Sequence, residues 1–447
     1  MRRVVSEAVI RITSCGVVAG VVAIMLLSWF HLRFGLNSPP SATGDEASYD
    51  AIGWQLAQGN GFREDFDDPD FRIPYDQAAT AQPELMTLKG QPPGIVTYRP
   101  PLLPCVIAVG DRLAGRQFFV TRIFNVVAIS VAAGLLMWHL WKHDGLHVAI
   151  VGILMLITVD VRTRLYGRAI LTESLAILLG ALLTLALFRL LRHQRPRDAV
   201  AAGLVLGLSM LNRPATALWL PAILAGLTVL IWRHPVSSSD SGNIIGGGFP
   251  RKGFSVLTLP VILLLTACIV YGPWAVRNIM VLQRMMPLGA QGMMEMASGY
   301  SDEAWDNRGV WVNLHAKGNY RDIPLQQMSR IEAELAVGDA SRERAIEWIR
   351  NHPAEILPLA AMKVCQEYRP RSFGEGIILL GAVVGMAVRW RRRETQVLAL
   401  LHLANMMSIA ATWSVEGRFV VPLLIPLHIA TAQGILFAAG SPWLSKK

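Results

Sequence analysis

An all-α polytopic membrane protein is the fold class this sequence predicts, and three observations predict it. Only 17% of the 447 residues are charged while 53% are apolar, against about 25% charged in a soluble domain. Apolar runs near the length that crosses a hydrocarbon core, about 20 residues, recur along the whole chain. Lysine and arginine clusters fall between those runs so that ten crossings put them all on one side, the pattern of cytoplasmic loops. The net charge of +10 is therefore a topological signal that also meets anionic lipid, and it implies no nucleic-acid partner.

The first run, 12–30, follows Arg2, Arg3 and Arg11. It is longer than the roughly 7–15 residues of a signal-peptide core, and "NSPPSATG" is a poor cleavage site, so a retained anchor is expected. The segment 31–117 then lies outside. It ends in "PLLPCVIAVG", too short to span and too proline-rich to run straight, hence a juxtamembrane helix. Spans follow at 118–141, 145–160, 169–191, 198–211, 215–232 and 254–274, with a flexible Ser/Gly-rich cytoplasmic linker at 236–248. The segment 275–373 returns to the outer face. Its "DASRERAIEWIRNHPAEILPLAAMKV" offers Asp339 as an N-cap, Ala345, Ile346 and Ile349 at helical spacing, and Pro353 as a break. Two amphipathic helices on the membrane surface are expected there. Spans at 374–390, 395–414 and 419–438 complete ten, with Arg389 and Arg391–Arg393 inside and both termini cytoplasmic. The chain thus divides into a transmembrane module at 1–274, an outer-face segment at 275–373 and closing helices at 374–447.

Ionisable residues gather where outward-facing turns should be poor in arginine. Glu173 lies near the start of the fourth span, Arg213 between the fifth and sixth, Arg277 at the outer end of the seventh, and Glu416 with Arg418 between the ninth and tenth. Each arginine alone can be read as a side chain snorkelling to headgroups. Together, beside the Asp45-Glu46 pair of "GDEASYDAIGWQLAQGNGF" (44–62), they suit a lipid-linked phosphate, because the planar guanidinium holds phosphate through paired charge-assisted hydrogen bonds.

That stretch resembles the first outer loop of the GT-C superfamily of integral-membrane glycosyltransferases, the protein O-mannosyltransferases and lipid A aminoarabinose transferases above all. "YRPPLLPCVIAVGDRLAG" (98–115), "RAILTESLAILL", "LNRPATALWLP", "PWAVRN" and "EGRFVVPLLIP" are similar to later landmarks of the family, in the same order. The resemblance covers roughly residues 10–438. It implies a GT-C fold and inverting transfer of one sugar from a polyprenyl-phosphate donor to a lipid, glycan or protein acceptor outside the cytoplasm; the Ala/Leu/Arg-rich composition points to a bacterial inner membrane and so to undecaprenyl phosphate. It implies Asp45 as the general base, Glu46 as an acid that orients a partner or holds an arginine, and Arg99, Arg418, Arg277 and Arg213 as ligands of the donor phosphate. Tyr49, Glu173 and Glu416 take supporting roles. No metal or other cofactor is implied. An orphaned carboxylate near lipid would have a raised pKa, as such a base requires. Ser48 stands where the aminoarabinose transferases carry arginine, which separates this chain from their sugar and acceptor.

A flippase or transporter of a lipid-linked sugar remains the alternative, since it too would gather arginines around phosphate. It would need a polar path, and His402 and His428 are the notable mid-span candidates; both also read as hydrogen-bonded core residues. Tyr49, Trp54, Trp305 and Trp311 suit stacking on a sugar or prenyl tail, or simple interfacial anchoring. The spacing of His139, His143 and His147 is broken by Asp144 and Gly145, and "DFDDPD" (65–70) reads as a solvated acidic loop. The four cysteines, Cys15, Cys105, Cys268 and Cys365, are scattered without metal-ligand spacing.

Overall fold

The helices form a bundle capped at one end by two polar segments. The architecture comes from a computed structural model that describes residues 2–88, 92–234 and 251–440; the linker 236–248 and the closing Lys446-Lys447 lie outside these. Among the described residues, six helices are long and apolar enough to cross a membrane, and up to eight spans result if each of two bent pairs is one span. The protein is an integral membrane protein. The first bent pair breaks by 58° at Asp160, after the π-turn Met155–Val159, and the second by 111° between Tyr368 and Phe373, where Pro370 cannot continue a helix. All ten expected segments are helical, but Pro196–Asn212 has only 17 residues, and Arg393–Ala411 carries Arg393, Glu394, His402 and Asn405. Length and composition therefore support six to eight crossings rather than ten.

Burial orders the bundle from centre to rim. Of the residues in Val421–Ala438, 78% are buried, against 11% in Val9–Leu26, so the last span is central and the first is lipid-facing. The helices Phe373–Val388 and Leu424–Ala438 touch backbone to backbone, because a Cβ at Gly434 would collide with the Gly381 carbonyl and one at Gly385 with the Ala430 carbonyl. Small residues permit this approach in lipid, where van der Waals contact replaces hydrophobic drive. His428 Nε2 lies 3.0 Å from Asp160 Oδ2, and Tyr368 Oη lies 3.2 Å from His402 Nδ1, so both core histidines are hydrogen-bonded.

The two ends of the bundle differ. Phe118–Asp144 and Glu173–His193 run from one to the other. At one end Asp144 pairs with Arg389 and Arg392, and Arg192 with Glu394 at 2.9 Å. At the other end lie Asp45–Ala57, Pro69–Ala79, Leu102–Ala114 and the paired strands Arg63–Glu64 and Gly94–Ile95, in antiparallel register Arg63↔Ile95. The second polar segment packs on the Gly94–Ile95 strand through Arg330–Asn351, while its Ile356–Tyr368 packs on Arg393–Ala411. The first of these helices starts well before Asp339. Ser329 caps it, its hydroxyl bonding the Glu332 amide while Glu332 accepts from the Ser329 amide, a reciprocal capping box. Asp339 is an exposed mid-helix residue paired with Arg284 at 2.7 Å. In the acidic loop Asp68 caps Pro69–Ala79 and accepts from Trp54 and Gln55, so part of "DFDDPD" is structural.

Candidate active site

Asp45 is the first residue of Asp45–Ala57, where the aligned peptide dipoles favour a carboxylate. Arg99 follows the Gly94–Ile95 strand and precedes Pro100 and Pro101, and Pro101, already helical in backbone, caps the start of Leu102–Ala114. Arg418 sits in the loop between the last two helices. The three side chains meet: Arg99 Nη2 lies 2.7 Å from Asp45 Oδ1, and Arg418 Nη1 lies 2.9 Å from Asp45 Oδ2. Arg418 Nε also bonds Glu173, the first residue of its own helix and fully buried. Arg213 Nη1 lies 3.7 Å from the same Glu173 oxygen, and its guanidinium is 5.3 Å above the Phe419 ring. Three guanidiniums against two carboxylates leave one positive charge unmatched in this cluster, and such a surplus suits an anion.

Electrostatics set the resting state of Asp45. Burial alone would raise its pKa, but Arg99 and Arg418 outweigh that and hold the carboxyl well below its ordinary range. The sequence led us to expect an orphaned carboxylate with a raised pKa. That expectation is overturned, because two arginines already occupy both of its oxygens.

Arg99 is held by a chain of polar contacts that sequence reading missed. Its Nε donates to Ser48 Oγ at 3.2 Å, and its guanidinium lies 5.3 Å from the Tyr49 ring and 4.7 Å from that of Tyr98. Ser48 Oγ lies 2.9 Å from Tyr98 Oη, which donates to Glu64 at 2.7 Å, and Glu64 pairs with Arg330 at 2.5 Å. Two residues before Arg99, the Thr97 amide and hydroxyl donate to Glu334 at 3.1 and 2.6 Å. Burial pushes the Glu334 carboxyl up to about 7. The half-buried Glu295 accepts from Trp311 Nε1 at 2.6 Å and from Ser298 Oγ, and lies within electrostatic reach of Arg99 and Asp45. The one sequence signal for this layer is the Ser329-x-x-Glu332 box, which locates the helix that carries Arg330 and Glu334.

The remaining predicted residues make other bonds. Glu46 accepts from the Ile170 amide at 2.6 Å and the Ser41 amide at 3.3 Å, which ties Asp45–Ala57 to the approach to Glu173. Arg277 donates to the Val96 and Phe62 carbonyls at 2.7 and 3.3 Å and stacks on Trp274, below the strand that leads to Arg99. Glu416 has a left-handed backbone, φ 51°, and its amide donates to Ser414 Oγ. Trp305 packs near Trp348.

Residues 98–249 match the family of dolichyl-phosphate-mannose-protein mannosyltransferases. Among curated proteins, none matches the chain in sequence. Among solved structures, the apo oligosaccharyltransferase of Archaeoglobus fulgidus is similar over 97% of this chain and 51% of its own, at 12% identity and a TM-score of 0.54. The same organism's oligosaccharyltransferase AglB in complex with an inhibitory peptide and a dolichol-phosphate is similar over 95% of this chain and 50% of its own, at 13% identity and a TM-score of 0.50. ArnT from Cupriavidus metallidurans bound to undecaprenyl phosphate matches over 96% of this chain and 78% of its own, at 12% identity, with a TM-score of only 0.36. The chain spans about half the length of the oligosaccharyltransferase it matches. The fold is that of the oligosaccharyltransferase it matches.

Proposed function

We propose that this GT-C membrane protein transfers a monosaccharide from a polyprenyl-phosphate donor to a lipid, glycan or protein acceptor. The single observation that carries the reading is the junction of Asp45, Arg99 and Arg418: a carboxylate at a helix start, clamped by two guanidiniums and backed by the buried Glu173. The family match to dolichyl-phosphate-dependent mannosyltransferases and the dolichol-phosphate bound by a fold relative support the same donor chemistry.

The carboxylate of Asp45 occupies the place that a phosphate would take between the two arginines. A base held far below its ordinary pKa is a weak one. When the donor phosphate claims Arg99 and Arg418, Asp45 loses the cations that depress it and gains basicity next to the acceptor. It then removes the acceptor hydroxyl proton while the acceptor oxygen attacks the anomeric carbon from the face opposite the phosphate. The sugar–phosphate C–O bond breaks, its electron pair leaves with the phosphate, and the guanidiniums neutralise the charge. Arg213 reinforces this through Glu173, and Arg277 holds the strand behind Arg99. The bundle end rich in arginine, around Arg192 and Arg389–Arg393, lies opposite this site, and by the positive-inside rule this supports a reaction on the non-cytoplasmic face. Undecaprenyl phosphate is the lipid we assign to the donor.

Incubating the purified protein with a labelled polyprenyl-phosphate sugar tests this. Wild type should release free polyprenyl phosphate. Asp45→Asn should lose transfer by about 100-fold or more while still binding donor. Transfer unimpaired in that variant, or donor moved across vesicles with no bond cleaved, would refute the reading, the second in favour of a flippase.

A further inference from the structure

The loop that carries Arg418 does not support itself. Glu416 and Gly417 both have positive φ, 51° and 93°, a region that costs a side-chain-bearing residue roughly 1 kcal/mol or more, so something outside the loop must hold it. Glu367 does so. It is 1% exposed and lies on Ile356–Tyr368, far from the loop in sequence. Its Oε2 accepts from Ser414 Oγ at 2.8 Å and from the Val415 amide at 2.9 Å, and its Oε1 accepts from the Phe419 amide at 2.5 Å. One carboxylate thus gathers donors from both ends of residues 414–419, with Arg418 next to the last of them. The same polar segment docks on the loop a second time: the Ser414 amide donates to the Gly309 carbonyl at 3.1 Å, and the Trp311 amide to the Ser414 carbonyl at 2.8 Å. Trp311 in turn holds Glu295.

We infer that Glu367 is a positioning residue for the phosphate-binding arginine: by clamping 414–419 it sets Arg418 against Asp45 and Glu173. It thereby couples the polar segment 291–368 to the grip on the donor phosphate. This rests on the role given above to Arg418. Glu367→Gln keeps the volume but puts an NH2 where an oxygen accepted, so at least one of the Val415 and Phe419 amides loses its partner and the left-handed turn relaxes.

The probe is undecaprenyl phosphate bound to the detergent-purified protein. Glu367→Gln should bind it about tenfold more weakly, and Ser414→Ala, a milder lesion of the same clamp, about threefold. In an Arg418→Ala background Glu367→Gln should add no further loss, since residues that act through one another are not additive. Hydrogen exchange provides an arm without ligand: the Val415 and Phe419 amides should exchange faster in Glu367→Gln than in wild type. Wild-type affinity in both variants, losses that multiply in the double variant, or unchanged exchange at those amides would overturn the inference. Failure of wild type itself to bind the lipid phosphate would strike the proposed function instead, and the exchange arm would still decide whether Glu367 holds the loop.

Discussion

Asp45 is the most accessible member of its cluster: 31% of its side chain is exposed, against 12% for Arg99, 23% for Arg418 and none for Glu173. Accessibility separates reaction from support. Glu173→Gln strands Arg213 and part of Arg418 without their buried counter-charge, a change that costs about 3–5 kcal/mol. It should lower the melting temperature in detergent more than Asp45→Asn, which removes the partner of Arg99 at a carboxylate still 31% exposed; a larger shift in Asp45→Asn would contradict the division. Glu334 gives a pH signature. Its folded pKa is raised to about 7, so the folded state keeps a proton that the unfolded chain releases from about pH 4.3 upward. Stability from this group is therefore greatest below that range and falls as pH rises to about 7, by at most about 4 kcal/mol. Glu334→Gln should flatten the fall in melting temperature between pH 5 and 7.5. A wild-type-like slope in the variant would assign the effect elsewhere.

Two elements show what the sequence made legible and what it hid. The helix Arg330–Asn351 owes its start to Ser329, whose hydroxyl and the Glu332 carboxylate satisfy two helix-end amides. Ser329→Ala should cost about 1 kcal/mol and, by fraying the turn that presents Arg330 to Glu64, weaken donor binding modestly in a titration. The sequence contains this box, yet Asp339 stood closer to the apolar periodicity and drew the boundary. The paired helices Phe373–Val388 and Leu424–Ala438 depend on Gly434, and Gly434→Val should destabilise by about 3 kcal/mol, read as a lower melting temperature. Crossing count was less legible still. Hydropathy finds apolar runs, but the breaks at Asp160 and Pro370 depend on how the chain turns, not on how apolar it is.

At the scale of the molecule, the site's outer residues could be found because they are misfits: arginines and acids at the ends of apolar runs. That signal reached Asp45, Arg213, Glu173 and Arg418, and the family resemblance added Arg99; the fold brings the five together from separate parts of the chain. It did not reach the supports, because Glu64, Thr97 and Ser414 look like ordinary loop residues until Arg330, Glu334 and Glu367 arrive from 266, 237 and 47 positions away. Nor did it show that Asp45 rests in an ion pair, since periodicity carries no distances. The measurement that tests the central claim most directly is a structure of the protein with bound polyprenyl phosphate. The account predicts the phosphate between the Arg99 and Arg418 guanidiniums, with the Asp45 carboxylate displaced from at least one of them. Phosphate held elsewhere, as at the opposite end among Arg389, Arg392 and Arg393, with the Asp45 pairs intact, would contradict it.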